Sequence, residues 1–206
     1  MTNAVSIAQG GSNNVTMRNR IINGAMMIDQ RNAGAAVTTD SAFPVDRFTT
    51  YEDTDGAYSA QRDTTAPTGF VNSLKWTTTT ADGSLSATQY AGIYQGIEGF
   101  NVADLGWGSA NAKTVTLSFW VRSSLTGTFG GSFRNNANNR SYPFTYSISV
   151  ADTWEQKTVT VSGDTSGTWT TDNTAGIKLF FSLRSEEHTS ELQSHLNLVC
   201  RLLLEK

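Results

Sequence analysis

An all-β fold, an antiparallel β-sandwich of jelly-roll type, is what the sequence predicts, and three observations predict it. Residues 113–122 alternate polar and apolar side chains: Val115, Leu117, Phe119 and Val121 fall on one side, Thr116, Ser118, Trp120 and Arg122 on the other. Successive side chains of a strand point to opposite faces, so this pattern marks a half-buried strand. Turn signals rich in glycine, asparagine and aspartate recur between short segments, at Asp55-Gly56, Asp82-Gly83, 135–139 and 163–167. These residues tolerate the positive φ of tight turns. Finally, no strand–helix–strand rhythm and no internal repeat is present, which favours a sandwich over a parallel sheet.

Taken in chain order, strands are expected at 21–29, 47–51, 57–62, 73–79, 87–98, 113–122, 126–134, 141–150, 154–161 and 177–183, with a single helical turn at 101–105. In the last strand Ile177, Leu179, Phe181 and Leu183 share one face. Residues 1–16 are polar and rich in glycine and asparagine, and are expected to be a flexible leader. The sandwich then occupies 17–183.

Composition narrows the function. The chain has 206 residues, 16% of them charged, and a net charge of −3. That is long enough for one domain with a real core, and no strong field points to nucleic acid or membrane as a partner. The first residues lack the basic-then-apolar order of a signal peptide, and no apolar run is long enough to span a bilayer.

Composition breaks at Leu183. Beyond it lie both histidines, His188 and His195, and the one cysteine, Cys200. The stretch from Arg184 to His195 resembles the translation of a common short-read sequencing adapter. That resemblance implies a non-native tail over 184–206, expected to be helical or disordered, and a jelly roll incomplete at its C-terminus. The other reading of the tail is a native helix, with Leu192, Leu196, Val199 and Leu203 at heptad-like spacing.

Residues 17–183 contain neither histidine nor cysteine. Ser-His-Asp and Cys-His catalysis and zinc sites are therefore excluded there. Paired carboxylates in a glycosidase remain conceivable, with Glu98, Asp104 and Glu155 as candidates. The acidic run Glu52-Asp53-Thr54-Asp55-Gly56 raises calcium, yet an EF-hand counted from Asp53 would need glutamate where Thr64 stands. It reads as a solvated turn, so no cofactor is expected.

Aromatic residues carry more information. Sugars present C–H faces to aromatic rings and hydroxyls to short polar side chains. Trp120 lies on the polar face of its strand beside Arg122, and Tyr90 and Tyr94 share a face with Glu98, separated by Gly92 and Gly96. These five, Trp120, Arg122, Tyr90, Tyr94 and Glu98, are the candidate ligand contacts. Trp154 and Trp169 are expected in the core.

Four stretches carry a family resemblance: 19–31 with the later Asp46-Arg47-Phe48, 94–105, 115–122 and 163–169. They resemble tail-fibre-like virion proteins of marine and environmental phages. The resemblance implies a jelly roll like that of carbohydrate-binding modules, carried on the phage particle, assembled with other virion subunits as a homotrimer, and touching a host-surface glycan. A purely structural fibre or capsid-decoration domain is the alternative, and a tail-associated glycan-degrading enzyme a further one.

Overall fold

The computed structural model of the chain describes residues 19–84, 86, 88–185 and 195–204. Ten strands run in chain order: β1 (Thr49–Asp53), β2 (Ala57–Asp63), β3 (Ser73–Thr80), β4 (Tyr90–Glu98), β5 (Val115–Ser123), β6 (Gly127–Arg134), β7 (Ser141–Ile148), β8 (Glu155–Val161), β9 (Ala175–Ser185) and β10 (His195–Leu204). They form two five-stranded sheets. The front sheet has the order β1-β4-β9-β6-β7 and the back sheet β2-β3-β10-β5-β8. Their pairings are antiparallel. Short 3-10 turns at Gly99–Asn101 and Ala103–Leu105 stand where one helical turn was expected.

The expected alternation builds the core. Ile93, Ile97, Leu179 and Phe181 from the front sheet meet Leu74, Trp76, Leu117 and Phe119 from the back sheet, all buried. Phe119 and Phe181 join the sheets edge to face, with ring centroids 5.0 Å apart. Fully burying such side chains contributes roughly 1.5–3 kcal/mol each. Trp169 packs against this core as expected, whereas Trp154, just before β8, is half-buried and is not among the packed residues.

Residues 21–29 depart from expectation: they form no strand but open an ordered strap that runs on to Ala42. Asn23 and Met26 hold positive φ of 57° and 55°, which ends any extended run. The Asn23 side chain then takes the place of a ladder partner: its Oδ1 accepts the Ile28 N–H (2.9 Å) and its Nδ2 donates to the Ile28 and Asp46 carbonyls (2.8 and 2.9 Å). Asp29 likewise accepts the backbone N–H groups of Asn32 and Gly34. Ile21, Met26, Val45 and Phe48 sink into the core.

The strap also closes the open side of the sandwich. Val37 exchanges two backbone hydrogen bonds with Ala60 of β2 (2.8 Å each), and Ser41 and Ala42 bond to Thr50 of β1. Arg20, buried, donates to the Asn101 carbonyl and the Asp104 carboxylate (2.5 and 2.6 Å). Edge strands expose unpaired backbone groups, so this segment covers both β1 and β2.

A second correction concerns the tail. Residues 195–204 are neither helical nor disordered but form β10, hydrogen-bonded between β3 and β5, with Leu198 buried. Leu196, Leu198, Cys200, Leu202 and Leu204 follow one another at period two. That pattern coexists with the heptad one, and a slot with two rows of backbone partners selects it. Of the adapter-like stretch, Arg184 and Ser185 prolong β9 and His195 opens β10; residues 186–194 and the leader 1–16 lie outside the described residues.

Gln95 is a buried amide on the core side of β4. It accepts the Ile22 N–H (2.9 Å) and donates to the Ile22 carbonyl (2.8 Å). A buried backbone group left without a partner costs about 1–3 kcal/mol. Gln95→Ala is therefore expected to lower the urea midpoint by an amount of that order with the slope unchanged; an unshifted midpoint would show that the strap does not depend on this contact.

Candidate functional site

Strand β4 sorts its residues strictly. Ala91, Ile93, Gln95 and Ile97 face the core, while Tyr90, Gly92, Tyr94, Gly96 and Glu98 face outward. Register then places neighbours beside them: Tyr51 of β1 opposite Gly92, Phe180 of β9 opposite Tyr94, Ser132 of β6 opposite Phe180, and Arg134 opposite Lys178. Directly opposite residues share a face, so these side chains form one outer surface on the front sheet.

Four aromatic rings dominate that surface. Tyr51 stacks on Tyr90 with centroids 4.0 Å apart and meets Tyr94 edge-on at 6.2 Å. Tyr94 in turn stacks on Phe180 at 4.9 Å, and the Arg134 guanidinium carbon lies 4.4 Å from the Phe180 centroid. Phe180 is thus buried among its neighbours, whereas the three tyrosines stay half-exposed. The rings hold one another in place, so little rotamer freedom remains to be lost when a ligand arrives.

Two cavities flank this stack. One, of about 550 Å³, lies towards Tyr94, Gly96 and Glu98 and is walled by Gln30 and Arg31 of the strap and by Lys178. The other, of about 500 Å³, lies over Tyr51, Tyr90, Phe180, Ser132 and Arg134. Tyr94 lines the first and Phe180 the second, so the stacked pair is the ridge between them.

The first cavity is charged. Arg31 lies over the Phe43 ring, 4.0 Å from its centroid, and 3.9 Å from Asp46. Arg47 is paired with Glu98. Burial works against the Glu98 carboxylate, but hydrogen bonds from Arg47, its own backbone N–H and Asn101 outweigh it and hold its pKa below the usual range. The Lys178 pKa is also lowered, by burial first and then by the charge of Arg134, which for a lysine disfavours the charged form. In the second cavity burial, followed by Tyr51, pushes the Tyr90 hydroxyl up to about 12, so it stays a neutral donor.

Of the five candidates, the structure brings Tyr90, Tyr94 and Glu98 onto this surface. It does not bring Trp120 and Arg122 there. Both lie on the outer face of the back sheet, where Trp120 is half-exposed opposite Gln156 and Arg122 binds Asp152 through its carboxylate (2.9 Å) and carbonyl (2.8 Å). The expected room beside the rings is present at both glycines. Gly96 opens onto the first cavity and Gly92 onto the second, but at Gly92 the β9 backbone at Phe181 leaves no space for a side chain.

Tyr51, Phe180, Arg134, Lys178 and Arg47 were missed. The same alternation that puts Ile177, Leu179 and Phe181 inside puts Lys178 and Phe180 outside, so these two were within reach. Tyr51 was not, because its place depends on the β1–β4 register.

The carboxylates weighed for hydrolysis are all committed elsewhere. Glu98 pairs with Arg47 and Asp104 with Arg20, while Glu155 sits on β8 of the back sheet with Lys157 (2.6 Å). Among the described residues, no three His, Cys, Asp or Glu side chains converge as metal ligands.

No protein-family model matches the sequence, and no curated protein does. Solved structures do resemble the fold. An enzymatically active domain of bacteriophage CBA120 tailspike protein 4 superposes with a TM-score of 0.50 at 12% identity, over 90% of this chain and 21% of that one. A CBM4 structure gives 0.50 at 13% identity, over 90% of this chain and 99% of that one. A tandem CBM22 domain of Paenibacillus barcinonensis Xyn10C gives 0.50 at 13%, over 86% of this chain and 51% of that one. The chain thus spans about a fifth of the tailspike chain. At these identities the likeness shows the fold, a jelly-roll sandwich of the kind seen in carbohydrate-binding modules.

The two glycines of β4 make separable demands. A Cβ on Gly92 would press into the Phe181 carbonyl of β9, while one on Gly96 meets only the Ala175 Cβ at 3.5 Å, an ordinary contact. Gly92→Ala is expected to cost about 1–3 kcal/mol, as overpacking does. Gly96→Ala should be neutral or stabilising by up to ~1 kcal/mol. Thermal melts of the two variants check this, and equal stability would refute the assigned close approach at Gly92.

Proposed function

We propose that this domain is a non-catalytic glycan-binding module and that the outer surface of its front sheet is the binding face. The observation that carries the reading is the stacked platform of Tyr51, Tyr90, Tyr94 and Phe180 between two polar-walled cavities. Apolar sugar faces rest on rings, and hydroxyls find Ser132, Arg134, Gln30 and Glu98 within the same cavities. The resemblance in fold to carbohydrate-binding modules supports it.

The carboxylates argue for binding over hydrolysis. A glycosidase acid must stay protonated near neutral pH, which requires a raised pKa. Glu98 and Asp104 are both shifted downward by their arginine partners despite burial. Glu52, raised by burial, neighbours Tyr51 in β1 and so points to the opposite face from the platform.

The finer reading is a virion role. The tail-fibre-like stretches and the tailspike likeness support a module carried on a phage particle, contacting a host-surface glycan and repeated in a trimer with other virion subunits. An open platform excludes little water, so one site binds weakly, and avidity from repeated copies supplies the rest.

Binding to immobilised glycans tests this. Tyr94→Ala removes half of the ridge and is expected to weaken binding about tenfold, if a sugar face on the ring contributes about 1.4 kcal/mol, within the range of about 1–3 kcal/mol per nucleobase stacked on an aromatic side chain. Trp120→Ala, on the back sheet, should leave binding unchanged. Equal loss in both variants, or loss with Trp120→Ala alone, would move the site off the front sheet.

A further inference from the structure

The chain as a whole is acidic, at −3, yet the two cavities are lined by four cations, Arg31, Arg47, Lys178 and Arg134, against two carboxylates, Asp46 and Glu98. Both carboxylates already face an arginine, Asp46 facing Arg31 and Glu98 facing Arg47. Arg134 and Lys178 have no carboxylate partner among the described residues. Instead Arg134 donates from Nε to the Ser132 hydroxyl (3.0 Å), and Lys178 donates to the Asn136 carbonyl (2.8 Å).

These two cations are register partners on adjacent strands, facing the same side. Like charges directly opposite in a sheet are destabilising, and the lowered Lys178 pKa is in part that repulsion. The pair is also placed for use. Arg134 covers the Phe180 ring on one flank of the ridge, and Lys178 lines the cavity on the other flank beside Tyr94. With Nε engaged, the terminal nitrogens of the guanidinium keep their planar fork, which matches carboxylate and sulfate oxygens two at a time.

We infer that the groove selects glycans bearing an acidic substituent, a carboxylate or a sulfate, which Arg134 and Lys178 hold while an adjoining sugar ring rests against Tyr94. This rests on the glycan-binding reading and names its ligand class. An anion there relieves the Arg134–Lys178 repulsion, and Lys178 is half-buried, which lessens competition from water.

The test is calorimetric binding of the whole chain to polygalacturonate and alginate (carboxylate) and a sulfated galactan (sulfate), against neutral galactan, β-glucan and xylan. Acidic glycans are expected to bind at least about tenfold tighter than neutral ones at low salt, a margin of about 1.4 kcal/mol. Raising the salt to ~0.5 M should shrink that margin, because screening is strong there. R134Q and K178Q should each remove most of it, weakening acidic-glycan binding far more than neutral-glycan binding, and neither should lower the melting temperature, since each also removes the repulsion between the pair. R122Q, the same change in net charge on the back sheet, should preserve it.

A preference for one acidic class over the other identifies which substituent is read. Equal affinity for neutral and acidic glycans, or an equal loss with R122Q, overturns the inference and leaves the platform reading standing. Binding to none of the six overturns both.

Discussion

The period-two alternation of β4 is the constraint on which core, strap and groove together depend. Inward, Ala91, Ile93 and Ile97 enter the shared core and Gln95 ties down the strap at Ile22. Outward, the same strand carries Tyr90, Tyr94, Gly96 and Glu98. A slip of one residue against β1 or β9 would exchange the two sets, burying tyrosine hydroxyls and a glutamate while exposing isoleucines. Such a penalty pins the register, and the register sets Tyr51 opposite Gly92 and Phe180 opposite Tyr94. The aromatic platform is therefore a consequence of how the core is filled.

The strap does a related job at the rim. Its anchoring groups, Arg20, Asn23 and Asp29, are spent on backbone hydrogen bonds and two ion pairs, Arg20–Asp104 and Asp29–Arg62, which fix a loop of irregular φ. The residues that follow, Gln30 and Arg31, become a wall of the first cavity. The strap is held because side chains take up the backbone groups of Ile22, Ile28, Asn32 and Gly34. Positional order in the wall and sealing of the sandwich side come from the same contacts.

Much of this was legible in the sequence where side-chain parity decides. Nine expected strands stand with ends shifted by a few residues, and Tyr90, Tyr94 and Glu98 share a face as read. Three things were not legible, each for a physical reason. The segment 21–29 looks like a strand because Ile21, Ile22, Met26, Met27 and Ile28 are apolar, but the positive φ of Asn23 and Met26 overrides that pattern. Trp120 obeys the same outward parity as Tyr94, and parity does not say to which sheet a strand belongs; the β5–β8 pairing does. Residues 195–204 carry both a heptad and a period-two pattern, and only the vacancy between β3 and β5 chooses the strand.

The central claim is that the outer face of the front sheet meets the ligand, and backbone amide chemical-shift mapping by NMR tests it most directly. On titration with an oligosaccharide that binds, the account predicts shifts clustered at residues 90–98, 130–134 and 178–182, with the back-sheet residues 118–122 and 155–159 unmoved. Shifts concentrated around Trp120 and Arg122, with β4 and β9 silent, would contradict it.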